Sequence, residues 1–196
     1  MRRLGMALVF VLLFGPGSVG AVEVSGKAVL ANRGAARQAV VYLEGSKKSM
    51  PMTKVLIDQR DKVFIPHVSV VTVGTTVEFP NNDTVFHNVF AYFQAKKFDL
   101  GMYPRGASKR VTFDKPGLVA LLCNVHSEMS AYIMVVDTPY FAVTDAQGNF
   151  RIRDVPPGTY TLRAWHESGA ELKQTVTIKA DSAPLNLVLS RLEKAR

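Results

Sequence analysis

The run Cys123-Asn124-Val125-His126-Ser127-Glu128-Met129 sets a thiol, an imidazole and a thioether at intervals of three, and His87 stands 36 positions upstream in Asn82-Asp83-Thr84-Val85-Phe86-His87-Asn88-Val89. Two imidazoles and a thiolate with a weak axial thioether are the ligands of electron-transfer copper, because soft sulfur favours Cu(I) while imidazole serves both oxidation states. A coordination sphere that suits both states changes little when an electron arrives. The set read from these residues is His87, Cys123, His126 and Met129 around one copper ion. Each has an ordinary reading by itself: His87 as a surface histidine at a strand end, His126 as a loop histidine, Met129 as a filler of irregular core space, Cys123 as an inert buried thiol. Jointly those readings need a coincidence of type, order and spacing. Met134 lies inside an apolar strand and reads as core, and Met102 falls in an irregular connection; neither has the loop position of an axial ligand. His67 and His166 read as solvated histidines.

The compartment sharpens the cysteine. Met1-Arg2-Arg3, the apolar stretch from Leu4 to Gly15, and the small residues Val19-Gly20-Ala21 read as a secretory signal cut after Ala21. The apolar core is short for a bilayer span, so the expected product is a soluble periplasmic chain without stable membrane insertion, a retained N-terminal anchor being the alternative. Cys123 is the only cysteine. An oxidising compartment normally pairs thiols, and an exported thiol without a partner in the chain calls for a ligand role.

The full chain of 196 residues carries 24 Lys+Arg against 16 Asp+Glu; removing the two signal arginines leaves 22 against 16, a net of +6 over 175 residues. That balance favours an acidic partner surface. Nucleic acid is excluded as a partner by export and by charges that alternate in sign without an aromatic-basic stripe.

The elements that must position the ligands are short strands. Val68 to Val73, Thr75 to Phe79, Lys109 to Phe113, Leu118 to Cys123 and Ala131 to Val136 are β-branched and apolar runs bounded by Gly, Pro, Asn or Asp. No segment after the signal carries a helical period, so the chain reads as all-β, built of sandwiches. Phe90 to Gly106 reads as a long irregular connection with a turn of helix. Cys123 closes one strand, Met129 precedes the next, and His126 sits in the tight loop between them, while His87 comes from another strand pair.

Residues 53–137 resemble the cupredoxin family, the small blue copper proteins of plastocyanin and amicyanin type. The resemblance rests on Phe64-Ile65-Pro66, the stretch Val71 to Val77, Asn82-Asp83 with His87-Asn88, and Cys123-x-x-His126-x-x-Met129. It implies a Greek-key β-sandwich, type 1 copper with His87, His126 and Cys123 equatorial and Met129 axial, and Asn88 bracing the cysteine loop outside the ligand set. It further implies His126 as the electron port and a redox protein as partner, a c-type cytochrome or a periplasmic dehydrogenase such as an amine dehydrogenase. The basic surplus of Lys96, Lys97, Arg105, Lys109, Arg110 and Lys115 over Asp99 and Asp114 is expected to ring that port.

A second pattern follows. Thr144-Asp145-x-x-Gly148-x-Phe150 and Pro156-Pro157-Gly158-x-Tyr160 resemble the carboxypeptidase regulatory-like family of prealbumin-type, Ig-like β-sandwiches. Phe141 to Ile152 reads as strand, turn, strand. The family's opening strands match Val24 to Val29 and Ala39 to Leu43, far upstream. Residues 22–48 with 138–190 therefore read as one discontinuous sandwich with the copper unit inserted, followed by a polar tail at 191–196. The alternative gives the first two strands to an extended cupredoxin. The second sandwich has no catalytic constellation of its own, and the chain reads as a carrier, not an enzyme. Two other readings stay open: a copper-delivery protein without a carrier role, and a metal-independent thiol enzyme using Cys123 and His126.

Overall fold

The computed structural model describes residues 20–31, 34–45, 49–92 and 95–191. The signal read over residues 1–21 thus lies outside the described residues except for Gly20 and Ala21, as does the tail beyond Arg191. The described residues form β1 (Val22–Leu30), β2 (Gly34–Ala35), β3 (Val40–Glu44), β4 (Val55–Leu56), β5 (Asp58–Arg60), β6 (Val63–Ile65), β7 (Val68–Thr72), β8 (Thr75–Pro80) and β9 (His87–Ala91). They continue as β10 (Phe98–Tyr103), β11 (Ser108–Phe113), β12 (Gly117–Leu122), β13 (Ser130–Val136), β14 (Phe141–Val143), β15 (Asn149–Val155), β16 (Gly158–Trp165), β17 (Ala170–Ile178) and β18 (Leu185–Arg191). The described residues are all-β, and among them no helix is long and apolar enough to cross a membrane.

Strands β4 to β13 pair among themselves. A five-stranded sheet, β10-β9-β12-β13-β7, faces a three-stranded one, β11-β8-β4, with the β5–β6 hairpin alongside. Alternation decides what each strand buries. Val119 and Leu121 of β12, and Ala131, Ile133 and Val135 of β13, turn into a core shared with Phe79, Val89 and Phe113. The opposite face of β13 carries Tyr132, Met134 and Val136.

Strands β1 to β3 pair with β14 to β18, in the order β14-β3-β16-β17-β18-β1-β15 with β2 on β1. β17 and β18 meet over two residue pairs only, Ala170 with Arg191 and Glu171 with Ser190. The ribbon bends there and closes around Val41, Leu43, Ile152, Leu162, Leu187 and Leu189. The motif residues have local causes. Asp145 Oδ1 accepts the N–H groups of Gln147 and Asn149 at 2.9 and 2.8 Å, making the turn, and the Tyr160 hydroxyl donates back to the Pro156 carbonyl at 2.7 Å.

The strand, turn and strand read over Phe141 to Ile152 are present as β14 and β15, but these two strands do not pair with each other. β14 pairs with β3 and β15 with β1, at opposite ends of the ribbon. Thr144 causes the crossing: its hydroxyl donates to the Ala36 carbonyl and accepts the Ala39 N–H at 2.8 Å, holding the end of β14 against the approach to β3. Gly148 then passes so close to β1 that a Cβ would lie 2.3 Å from the Ala28 carbonyl oxygen.

Other expectations are corrected here. Phe90 to Gly106 contains no helix among the described residues. It holds β10, which pairs with β9 across a register shift between Asp99 and Met102, and Gly101 at φ +63° supplies the bend that hides the strand's alternation. His166 is buried, its Nδ1 2.9 Å from the Ser168 hydroxyl. His67, by contrast, stays partly exposed as expected, with Nδ1 3.0 Å from the Ser130 carbonyl oxygen and Nε2 2.5 Å from Glu167. The last strand runs through Arg191, whose Nε donates to the Ser168 carbonyl at 2.8 Å.

The two sandwiches pack through the outer face of β13. Val68, Val70, Met134 and Val136 meet Val40 and Trp165, and the Tyr132 and Trp165 rings lie 5.2 Å apart. Beside this contact runs a cleft of about 900 Å³ lined by Tyr42, Tyr132, Trp165 and Arg163, which includes none of His87, Cys123, His126 or Met129.

Gly26 gives the second sandwich a direct test. A Cβ there would sit 2.2 Å from the Leu185 carbonyl oxygen and under 3 Å from the Phe150 ring, so backbone must move. Gly26→Ala should destabilise the chain by about 1–3 kcal/mol, read as a lower denaturant midpoint. A midpoint equal to wild type would mean that β1 and β18 do not pair in this register.

Candidate metal centre

β12 ends at Leu122 because the chain must turn, and Cys123 follows directly, buried at the edge of the first core. The loop to β13 is short: the Met129 N–H donates to the His126 carbonyl at 3.0 Å. That closure puts His126 half-buried at the rim and Met129 fully inside the apolar cluster that also contains Cys123. His87 opens β9 and is fully buried. Since β9 pairs with β12 through Phe90 and Leu122, His87 lies across from the cysteine despite their separation in sequence.

The ligand atoms of His87, Cys123 and His126 lie within 4.8 Å of one another. Cys123 Sγ stands 3.8 Å from His87 Nδ1 and 3.9 Å from His126 Nδ1. Metal bonds of about 2.1 Å to nitrogen and 2.3 Å to sulfur, meeting near 120°, hold the two atoms about 3.8 Å apart. Both sulfur–nitrogen spacings therefore suit an ion shared between the thiolate and an imidazole, and the three residues converge on one point. The imidazole rings are 4.8 Å apart and inclined at 58°, so both nitrogens reach the sulfur without stacking.

Hydrogen bonds beyond the ligands fix this arrangement. Asp83 Oδ2 lies 2.9 Å from His87 Nε2. An ionised carboxylate can only accept, so Nε2 carries the proton and the Nδ1 lone pair faces the sulfur. The Lys62 N–H and the His87 ring, in that order, hold the Asp83 carboxyl well below the usual carboxylate range. Asn88 Oδ1 accepts the Asn124 N–H at 2.8 Å, bonding the His87 strand to the residue after Cys123. Asn81, also buried, donates to the Val85 and Tyr103 carbonyls at 3.0 Å and accepts the Asp83 N–H at 3.0 Å, which shapes the loop leading to His87. Tyr103 pairs with His87 in the β9–β10 register; burial pushes its hydroxyl up to about 12, and it donates to the Phe79 carbonyl at 3.0 Å.

Sequence reasoning gives Asp83 and Asn81 no role. The available signal is a carboxylate four residues before a histidine in a segment otherwise free of charge.

The basic surplus does not gather around this centre. β9 and β10 run antiparallel, with Tyr103 opposite His87 and Phe98 opposite Ala91. Lys96 and Lys97, just before Phe98, therefore stand at the end of the sheet remote from His87. Lys96 is moreover paired with Asp114 at 3.0 Å and Arg110 with Glu78 at 3.0 Å. The ligand end retains Arg105, in a turn whose Gly106 N–H donates to the Asn81 carbonyl at 2.7 Å, and Lys109, whose Nζ lies 5.1 Å from the centroid of the Tyr103 ring. Exposed apolar side chains flank both histidines in sequence: Val85 and Phe86 before His87, and Val125 before His126.

Residues 129–190 match the family described as the carboxypeptidase regulatory-like domain. No curated protein matches. Among solved structures, the chain is similar to a purple cupredoxin from Nitrosopumilus maritimus at 21% identity and a TM-score of 0.39, over 42% of this chain and 100% of that one. It is similar to a mutant of amicyanin in its reduced state at 19% identity and a TM-score of 0.39, over 49% of this chain and 98% of that one. The copper-containing nitrite reductase of Thermus scotoductus aligns at 24% identity and a TM-score of 0.42, over 57% of this chain and 28% of that one.

Proposed function

We propose that the chain is a periplasmic type 1 copper protein that carries single electrons between redox partners. The observation that carries this reading is the convergence of His87 Nδ1, His126 Nδ1 and Cys123 Sγ, with the His87 proton held away from the sulfur by Asp83. Copper held there by His87, Cys123 and His126, with the buried Met129 thioether as the expected fourth donor, would supply the Cu(II)/Cu(I) couple. Burial of His87 and Cys123 keeps water off the ligands, and half-buried His126 is the route for the electron. The apolar residues beside both histidines offer a dry contact surface, and Arg105 supplies positive charge near it. The copper unit of residues 53–137 stands as an insertion in the sandwich of 22–48 and 138–190, a division that the separate strand pairings support. A signal cut after Ala21 delivers the chain to the periplasm, where a c-type cytochrome or a dehydrogenase is the expected partner. Delivery of copper to another protein is disfavoured by the same burial, since a hand-over site must expose its thiolate.

Stopped-flow oxidation of the reduced, copper-loaded protein by an acidic c-type cytochrome tests the reading. One electron per chain should transfer, more slowly as salt rises, because rim charges act mainly on encounter. Arg105→Glu should slow the reaction and flatten the salt dependence, whereas Lys97→Glu should leave both near wild type. Rapid loss of copper to a chelator without electron exchange would favour delivery.

A further inference from the structure

β5 and β6 form a two-stranded hairpin in which Arg60 pairs with Val63, leaving Asp61 and Lys62 as its turn. Both turn residues have positive φ, +51° and +59°, the conformation of the tight hairpin turn that normally selects Asn or Asp followed by Gly. Here the second position is lysine, so the turn accepts a conformational cost that glycine would remove. What the turn delivers is a backbone donor: the Lys62 N–H reaches Asp83 Oδ2 at 2.7 Å, the same oxygen that receives His87 Nε2 at 2.9 Å. Asp83 Oδ1 accepts the Thr84 N–H at 2.6 Å. Further bonds hold the hairpin and loop together, from the Asn82 N–H to the Gln59 carbonyl at 3.0 Å and from Asn82 Nδ2 to Asp58 Oδ1 at 2.8 Å.

We propose that the β5–β6 hairpin is a positioning element of the metal centre: its Lys62 N–H orients Asp83, and Asp83 in turn fixes the ring and tautomer of His87. The inference rests on the metal-site reading for its purpose, although its geometry is complete without the ion. Lys62, Thr84 and His87 all donate to the carboxylate. An amide at this position would turn its NH2 toward an N–H, whether it faced Thr84 or Lys62, so a carboxylate is the side chain that satisfies all three bonds. A carboxylate on Nε2–H also raises the basicity of Nδ1, the usual service of an outer partner to a ligating imidazole.

The test uses the full-length chain in two states. In the copper-free protein at pH 8, the 15N shifts of the His87 ring report the tautomer, which should be almost entirely Nε2–H in wild type. Asp83→Leu removes the acceptor, and an amide-to-ester replacement at Lys62 deletes only the N–H, which keeps the test available if Asp83→Leu does not fold. Both changes should populate the Nδ1–H form and, in the second state, lower copper affinity by about tenfold to a hundredfold. Lys62→Gly preserves the N–H and should leave tautomer and affinity as in wild type. An unchanged His87 tautomer in the ester variant would overturn the proposed role of the hairpin. If wild type shows the Nε2–H tautomer but binds no copper at Cys123, the metal-site reading fails while the positioning of His87 stands.

Discussion

Cys123→Ser should abolish the intense visible absorption of the Cu(II)-loaded protein while leaving the fold in place. That absorption arises from charge transfer along a short copper–thiolate bond, and a serine hydroxyl is a hard, weakly acidic donor with no equivalent transition. The pocket keeps both imidazoles, since His87 is held by Asp83 and the loop by Asn88, so the variant retains nitrogen ligands and should give ordinary tetragonal copper. Exchanging one buried sulfur for oxygen should cost the copper-free chain about 1–3 kcal/mol. Absorption spectra per bound copper and urea midpoints measure the two effects. A Cys123→Ser protein that keeps the band would place the chromophore somewhere other than this cysteine.

Met129→Gln should keep the colour and lower the reduction potential. An axial ligand tunes the ion rather than holding it, and replacing soft thioether sulfur with a harder oxygen favours Cu(II). Met129 is fully buried in the apolar cluster with Cys123, so an amide placed there has few partners other than the metal. Left uncoordinated, it would cost about 1–3 kcal/mol in the copper-free chain, and copper binding should recover part of that loss. Cyclic voltammetry and thermal unfolding with and without copper separate the two contributions. Spectrum and potential both equal to wild type would show that Met129 is core packing alone.

The ligand loop is legible in the sequence because Cys123, His126 and Met129 lie within one turn between two strands, where spacing alone brings side chains together. His87 can be matched only through its neighbours, and its burial depends on the β9–β12 pairing. The strands around the site are equally clear from their apolar runs. What stays hidden depends on long-range register. The Lys62 N–H that holds Asp83 comes from a turn 21 residues earlier, and no local pattern announces a backbone donor. Lys96 and Lys97 look adjacent to the ligand strand in sequence, yet the antiparallel turn between β9 and β10 carries them to the remote end. The strand, turn and strand of Phe141 to Ile152 are legible from their turn chemistry, but the separate partners of the two strands are not, because the tie from Thr144 to Ala36 and Ala39 reaches across more than a hundred residues. His166 reads as solvated because a histidine at a strand end usually is, whereas the turn through Ser168 folds back over it.

The most direct measurement is the visible and electron paramagnetic resonance spectrum of the purified chain with one equivalent of Cu(II), before and after reductant. The account predicts a strongly coloured protein with the narrow copper hyperfine splitting of a thiolate-bound site, bleached reversibly by reduction. A colourless protein with the wide splitting of tetragonal copper would contradict it.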